Sequence, residues 1–447
     1  GMSFKAYEEY EDSGIEWLGE VPAHWEIKRI RHLFTCLDGK RVPLNSSERH
    51  QRKGNIPYWG ANKIMDYVDD ALFDEPLVLL GEDGAPFFDR QRDVAFSSEG
   101  PVWPNNHIHV LKPHDQSYVS YTVYSLNSTD YIQYVEGSTR DKLTQANMMA
   151  IPLAWPDRCE RTNIAAFLDH ETARIDALIE EQQRLIALLK EKRQAVISHA
   201  VTKGLDPNLP MKDSGVEWLG EVPAHWEVVK FGVTHRSATL GGNYISADGE
   251  EGVPLIKMGN ISRGEISTKK IENLRTSDSH EREHVLKEGD FLFNTRNSID
   301  LVGKVCIWRN ELPLAVYNSN ILKIEFEPFL VHSTQYMNYL FNSKAITGLL
   351  KNYAKGTTSV AAIYYKDLQS ISVPIPTKNE QAKAIQLLDN VTKGIDDLIL
   401  EAKDLITLVK ERRSALISAA VTGKIDVRDW QPPKAGQTAS EPAEVSA

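Results

Sequence analysis

The chain has 447 residues, of which 41% are hydrophobic and 25% charged, and a formal net charge of −11 at pH 7. That length exceeds one compact core and suits two to four domains. No apolar run approaches the roughly 20 residues needed to span a bilayer, and the acidic balance argues against a protein that coats nucleic acid by bulk charge. A cytoplasmic protein without membrane association is therefore expected, and Gly1 ahead of Met2 reads as an expression remnant.

In chain order, residues 1–11 form an N-terminal tail, and DSGIEWLGEVPAHWE at 12–26 opens a first unit. Between 27 and 157, short β-type runs such as EPLVLLGEDG and RDVAFSS are broken by Gly, Pro and Asn. They predict a mixed α/β head spanning 12–159, closed by the Pro-bracketed strand IPLAWP at 151–156. A helix follows over 160–206. Ile164, Leu168, Ile175, Leu178, Leu185, Leu189 and Val196 fall at alternating threes and fours, and Gln182 interrupts them. Pro156 precedes this stretch and Gly204 ends it. A helix of about 40 residues is about 60 Å long.

After a linker at 207–212 the pattern starts again. DSGVEWLGEVPAHWE occupies 213–227, differing from the first copy only at Val216 for Ile15. A second head runs over 213–377, with GDFLFNTR, GKVCIWR and NILKIEF as strand runs and ISVPIP at 371–376 as its closing strand. The second helix covers 378–426. Its seam, Ala384, Leu388, Ile395, Leu398, Leu405, Val409 and Leu416, repeats the first at an offset of 220, with Ala402 in the place of Gln182. The endings KEKRQAVISHAVTKGLD at 190–206 and KERRSALISAAVTGKID at 410–426 keep the same offset. A tail from 427 ends in QPPKAGQTASEPAEVSA, a composition that predicts disorder.

The ends of the two units agree closely and the middles hardly at all, which is the pattern of one scaffold carrying two different heads. The expected fold is α+β: two globular domains with irregular sheets, separated by two long helices with a pseudo-twofold repeat. A long amphipathic helix cannot bury its stripe alone, and the nearest matching stripe is its own copy. The helices are therefore expected to pair antiparallel, because a whole head lies between them in sequence; a separate homodimeric coil for each is the alternative.

No phosphate-binding GxxxxGK[ST], NPP[FY], GxSxG or HExxH sequence occurs, so nothing points to a catalytic centre. Cys36, Cys159 and Cys306 are too scattered for a disulfide framework and read as buried thiols. His107 and His109 would share one face of a strand and could form half of a metal site, but no third ligand stands at a suitable spacing. Glu82-Asp83, between two glycines, reads as a turn.

Over 12–426 the chain resembles the specificity subunits of type I restriction-modification enzymes. The resemblance rests on the SGIEWLGEVPAHWE motif and its copy, the Pro-bracketed strand leading through Glu160 or Glu380-Gln381 into a helix, and the closing KxxRxAxIxxAVT pattern. Arg161 stands where the second copy has Gln381. The resemblance implies two target-recognition domains that each read half of a bipartite, asymmetric site in double-stranded DNA. It implies two modification subunits that methylate adenine using SAM, and restriction subunits that use ATP and Mg. It implies no catalytic residue, cofactor or metal in this chain.

Residue chemistry nominates the reading groups, because Arg suits guanine and Asn suits adenine as bidentate partners. In the second head these are Thr295, Arg296, Asn297 and Ser298 after a strand, Lys355, Thr357 and Thr358 in KGTTS, Lys257 and Asn260 in KMGN, and Asn318 and Asn320 in YNSN. In the first head they are Ser138, Thr139, Arg140 and Lys142 in the matching GSTRDK, Trp103, Asn105, Asn106 and His107 in VWPNNHIH, and Tyr58, Trp59, Asn62 and Lys63 in YWGANK. Two other readings stay open at this point: the same reader serving a fused methyltransferase-nuclease, and a coiled-coil interaction protein that binds no nucleic acid.

Overall fold

The computed structural model describes residues 5–137, 140–247, 252–274, 280–356 and 360–432. Four helices organise it: α1 (Val119–Ser128) in the first head, α2 (Arg158–Thr202), α3 (Thr334–Asn342) in the second head, and α4 (Lys378–Val421). The chain divides into two compact units, Gly1–Gln183 with Lys403–Ala447, and Arg184–Ala402. Each unit thus holds one head, the first half of the long helix that follows it, and the last half of the other long helix.

In the first unit, β1 (Phe34–Cys36), β2 (Leu77–Gly81), β3 (Ala95–Ser98) and β4 (Ile108–Pro113) form an antiparallel sheet in the order β1-β4-β2-β3. Every residue of β2 is buried, which is why LVLLG reads as an unbroken apolar run. Beside it, Lys53–Trp59 runs parallel to Pro101–Pro104 and antiparallel to Ile64–Val68. In the second unit, β5 (His235–Leu240), β6 (Phe291–Asn294), β7 (Val305–Ile307) and β8 (Ile321–Phe326) take the order β5-β8-β6-β7. There Pro254–Ile256 runs parallel to Val316–Tyr317 and antiparallel to Glu272–Leu274. The two heads therefore share one topology despite middles that barely align.

The long helices begin on side-chain caps. Asp157 Oδ1 accepts from Glu160 N at 2.9 Å, and the Glu380 carboxylate accepts from Thr377 N at 3.0 Å. The repeated motif grips these first turns: His24 Nε2 lies 2.9 Å from Glu160, and His225 Nε2 lies 2.8 Å from Glu380. Trp226 Nε1 also donates to Glu380, at 3.0 Å. Burial works against the charge of Glu380, yet the Thr377, Trp226 and His225 hydrogen bonds hold its carboxyl below the usual range. Arg161 and Gln381, which differ in the sequence repeat, do one job, since each donates to the carbonyl of the proline before its helix.

Within the first unit, Ile164 and Leu168 share a core with Ile417 and Val421, while Arg413 Nε reaches Asp176 at 3.1 Å. In the second, Ile197 and Val201 share a core with Ala384 and Leu388, while Arg193 Nε reaches Asp396 at 3.0 Å. Higher numbers on one helix meet lower numbers on the other, so the halves pack antiparallel, and the two ion pairs are copies at the offset of 220. The middle of the seam differs from expectation. Leu185, Leu398 and Leu405 are exposed, whereas Ile186 and Ile399 are buried. Adjacent apolar pairs such as Leu185-Ile186 let two ladders of threes and fours fit the same sequence, and periodicity does not decide between them.

Each head is tied to its helices by two tyrosines. The Tyr121 hydroxyl of α1 donates to the carbonyl of Ala154 at 2.8 Å and lies 3.3 Å from that of Val421, and Tyr336 of α3 donates to that of Val201 at 3.0 Å. The Val421 and Val201 carbonyls lie in a last helical turn, where no intrahelical donor remains. One turn along, Tyr124 meets Asp169 and Tyr339 meets Asp389, at 2.8 and 2.6 Å. Burial pushes the Tyr336 hydroxyl far above the usual phenol range. Tyr336→Phe is expected to cost about 1–3 kcal/mol, since it leaves a buried carbonyl without a donor. Tyr339→Phe, which leaves the Asp389 carboxylate a second donor in Gln335, should cost about 1 kcal/mol; urea unfolding of both variants checks the ranking.

Two expectations need correction. Cys159 is exposed, while Cys36 is half-buried and Cys306 buried. The chain stays packed past 427: Val427 is buried and Trp430 stacks edge-on against Phe167. The N-terminal tail is anchored too, with Tyr7 buried and Lys5 bridged to Asp426. Residues 433–447 lie outside the described residues.

Candidate nucleic-acid interface

In both heads the chain leaves a buried central strand and enters one common arrangement of loops. After β2 come Glu82 and Asp83; after β6 come Thr295 and Arg296. Glu82 N donates to His107 O and Thr295 N to Asn320 O, both at 2.9 Å. Leu143 N donates to Glu82 O at 2.7 Å and Ile363 N to Thr295 O at 2.9 Å. Asn105 N donates to Trp59 O at 3.0 Å and Asn318 N to Ile256 O at 3.1 Å. Two hairpins complete the sets: Val135–Glu136 with Lys142–Leu143, and Lys355–Gly356 with Ala361–Ala362. Gly137 and Gly356 open their turns at φ of 133° and 140°, a region that side chains other than glycine rarely adopt.

The loops nominated from sequence therefore meet at one place in each head, but several nominated side chains point inward. Tyr58 is buried, and its hydroxyl bonds the backbone of Leu44 at 3.0 and 3.2 Å. Trp103 is buried and donates to the Val42 carbonyl at 2.7 Å; Trp59 packs against Phe96 at a centroid distance of 4.8 Å. Asn105 Oδ1 accepts from His107 N at 2.7 Å, and Asn318 Oδ1 from Asn320 N at 3.2 Å. Asn260 is buried, accepts from Lys257 N and donates to the carbonyls of Ser267 and Lys270. Thr295 is buried and donates to the Asn320 carbonyl at 2.9 Å. These side chains shape the loops and have little left to offer a base, because Asn, Thr and aromatics serve turns and grooves alike.

Other candidates do face outward. Lys63, Asn106 and Arg296 are exposed, and Asn62, Asn297, Ser298 and Asn320 are half-exposed. Asn297 Oδ1 accepts from Ser298 N at 2.9 Å, and no ion pair involves Arg296 among the described residues. Lys142 pairs with Glu82 at 3.3 Å, Arg140 with Asp83 at 3.2 Å, and Lys355 with Asp367 at 2.6 Å. Lys257 is tied to Glu272 and Ser246. Ser138, Thr139, Thr357 and Thr358 lie outside the described residues.

Behind the first head's loops sits a charge network that sequence spacing did not reveal. His109 is buried, with Nδ1 2.6 Å from Asp38 Oδ2 and Nε2 2.8 Å from the Leu143 carbonyl. Arg41 Nη1 lies 2.6 Å from Glu82 and 2.7 Å from the Ile108 carbonyl. Burial opposes the charge of Asp38, but the His109 hydrogen bond and charge outweigh it and hold the carboxyl below its usual range. Asp38, Glu82 and His109 bring ligand-type atoms within 4.8 Å of one another. Both nitrogens of His109 face acceptors, however, and Arg41 already neutralises the acids, so this set does not suit a metal ion. His107 turns instead to Asp83, at 2.6 Å.

Two heads of one topology, each presenting cationic and amide side chains from a loop cluster, define a two-headed binding protein. The family model described as type I restriction modification DNA specificity domain matches residues 22–188 and again 239–408. The chain belongs to this family, as a non-catalytic DNA sequence-recognition subunit of type I restriction-modification systems. A protein of Haemophilus influenzae whose name calls it a type I restriction enzyme specificity subunit is 27% identical over 392 residues, covering 86% of this chain and 91% of its own. The EcoKI specificity subunit of Escherichia coli K12 is 22% identical over 438 residues, covering 92% and 91%. A chain from the structure reported as "Structural basis underlying complex assembly and conformational transition of the type I R-M system" shares the fold at a TM-score of 0.64 and 14% identity, covering 90% of this chain and 98% of that one. No helix is long and apolar enough to cross a membrane among the described residues.

Proposed function

We propose that each head reads one half of a bipartite, asymmetric site in double-stranded DNA through its loop cluster, and that the long helices set the unread spacer and dock two modification subunits. The observation that carries this is the recurrence of one hydrogen-bonded loop frame in both heads with different outward side chains, as two unlike half-sites require. Phosphate contacts would fix the register, and base-edge contacts would carry the sequence. The docking part rests on exposed leucines in matched places: Leu185 and Leu188 in one unit, and their copies Leu405 and Leu408 in the other. Two equivalent apolar patches suit two copies of one partner. SAM would belong to those modification subunits, and ATP and Mg to restriction subunits, all acting in the cytoplasm. With a net charge of −11 the chain can neutralise few phosphates alone, so partners should steepen the salt dependence of binding. Residues 27–157 and 228–376 would be exchangeable readers.

Arg296 tests the reading. It is exposed, follows a fully buried strand, and has its backbone fixed by pairing with Ala362. In the complex with modification subunits, Arg296→Ala should cost about 1–3 kcal/mol of discrimination and relax a single position of one half-site, read by methylome sequencing. Uniform weakening across all sequences would assign Arg296 to phosphate, and an unchanged methylome would remove it from the interface.

A further inference from the structure

The common loop frame permits a residue-by-residue match that sequence alignment of the heads does not give. Asp83 forms a bridge with Lys142, and Arg296 pairs with Ala362. The hydrogen bonds of Glu82 and Thr295 to matching partners on both sides fix this register. Asp83 therefore holds the place in the first head that Arg296 holds in the second. On the facing hairpins, a side-chain carbon added to Gly137 would strike the Arg140 carbonyl at 2.1 Å, and one added to Gly356 the Val360 carbonyl at 2.2 Å. Arg140 thus corresponds to Val360.

The two heads carry the cation on opposite strands. In the second, an arginine stands on the strand and a valine on the hairpin. In the first, an acid stands on the strand and an arginine on the hairpin, with Arg140 Nη2 3.2 Å from Asp83 Oδ1. The Asp83 side chain is 17% exposed and also accepts from His107, so it is poorly placed to meet a base; Arg140, 59% exposed, is well placed. An unpinned arginine would lose much of its rotamer freedom on binding, and a fixed carboxylate meets part of that cost beforehand.

We infer that Asp83 is a positioning residue for specificity: it holds the Arg140 guanidinium beside the place that Arg296 takes in the other head, so both half-sites present a guanine to a guanidinium at corresponding steps. The inference rests on the proposed DNA reading. Arg is the usual bidentate partner of the guanine O6 and N7 edge, and a compact ion pair leaves enough donors on the guanidinium to make that contact.

The test uses the full chain with its modification subunits and methylome sequencing. Asp83→Ala and Arg140→Ala should each relax one position of one half-site, lowering discrimination for guanine there about 5- to 150-fold, the span of a single bidentate contact. The other half-site should not change. Asp83→Arg combined with Arg140→Val copies the second head's arrangement and should restore guanine at that position, which a merely structural Asp83 would not allow. Even loss at all positions with Asp83→Ala, or an unchanged preference with Arg140→Ala, overturns the inference. Arg296→Ala separates the levels: if it relaxes one position while the first-head variants do not, only this inference fails, and if none has an effect, the loop cluster is not the reader.

Discussion

Inserting four residues between Gln183 and Arg184 is expected to lengthen the unread spacer by about one or two base pairs and leave both half-sites unchanged. The chain divides between its two units at that point, yet α2 runs unbroken through it from Arg158 to Thr202. Added residues therefore extend helix, at about 1.5 Å each, or about 6 Å for four, against about 3.4 Å per base pair of DNA. Four residues make about one turn, so Ile175 on one side and Ile197 on the other keep roughly the same facing, as in a coiled-coil stutter. Two residues rotate the far half by about 200° and turn its buried stripe to solvent. Exposing Ile197 and Val201 alone would cost about 3–6 kcal/mol at about 1.5–3 kcal/mol per side chain. Methylome sequencing of cells carrying each insertion, with thermal melts of the purified proteins, reads both effects. An active four-residue variant with the original spacer would show that α2 is not the ruler.

Asp38→Ala should destabilise the first head by about 3–5 kcal/mol, the span seen when one member of a buried ion pair is removed. Its partner His109 is 1% exposed and would lose the acceptor 2.6 Å from Nδ1, Val110 N would lose its bond to Oδ1, and Arg41 would keep Glu82 as its one carboxylate partner. The pH dependence has a definite sign. The folded-state pKa of Asp38 lies below its ordinary value, so its contribution is complete above about pH 4 and is lost as pH falls through the folded-state value. Acid unfolding of the wild-type first head should therefore begin below about pH 4, and Asp38→Asn should flatten that limb. Urea titrations at pH 7 and pH 3 measure both. A full-sized pH dependence in Asp38→Asn would place the acid sensitivity elsewhere.

The sequence by itself determined the architecture. Two near-identical motifs at 12–26 and 213–227, and two seams 220 apart, mark a duplicated scaffold, because the contacts they make are the same in both copies: His-to-Glu at a helix start, Tyr-to-Asp against a helix side, and an Arg–Asp pair across the seam. Periodicity also gave the helices, since an apolar stripe at threes and fours has one local solution. Contact partners were another matter. Leu185 or Ile186 could each have filled the stripe, and the folded chain buries Ile186 and exposes Leu185. Tyr58, Trp103, Asn260 and Thr295 looked like reading groups because the residue types that hold a loop in shape also read bases, and burial alone separates the two roles. Asp38, Arg41, Glu82 and His109 lie up to 71 residues apart and carry no motif, so their network exists only once β4 lies beside β2. The same holds for Asp83 and Arg140. Their match to Arg296 and Val360 is written in backbone hydrogen bonds, which preserve register where side chains have diverged.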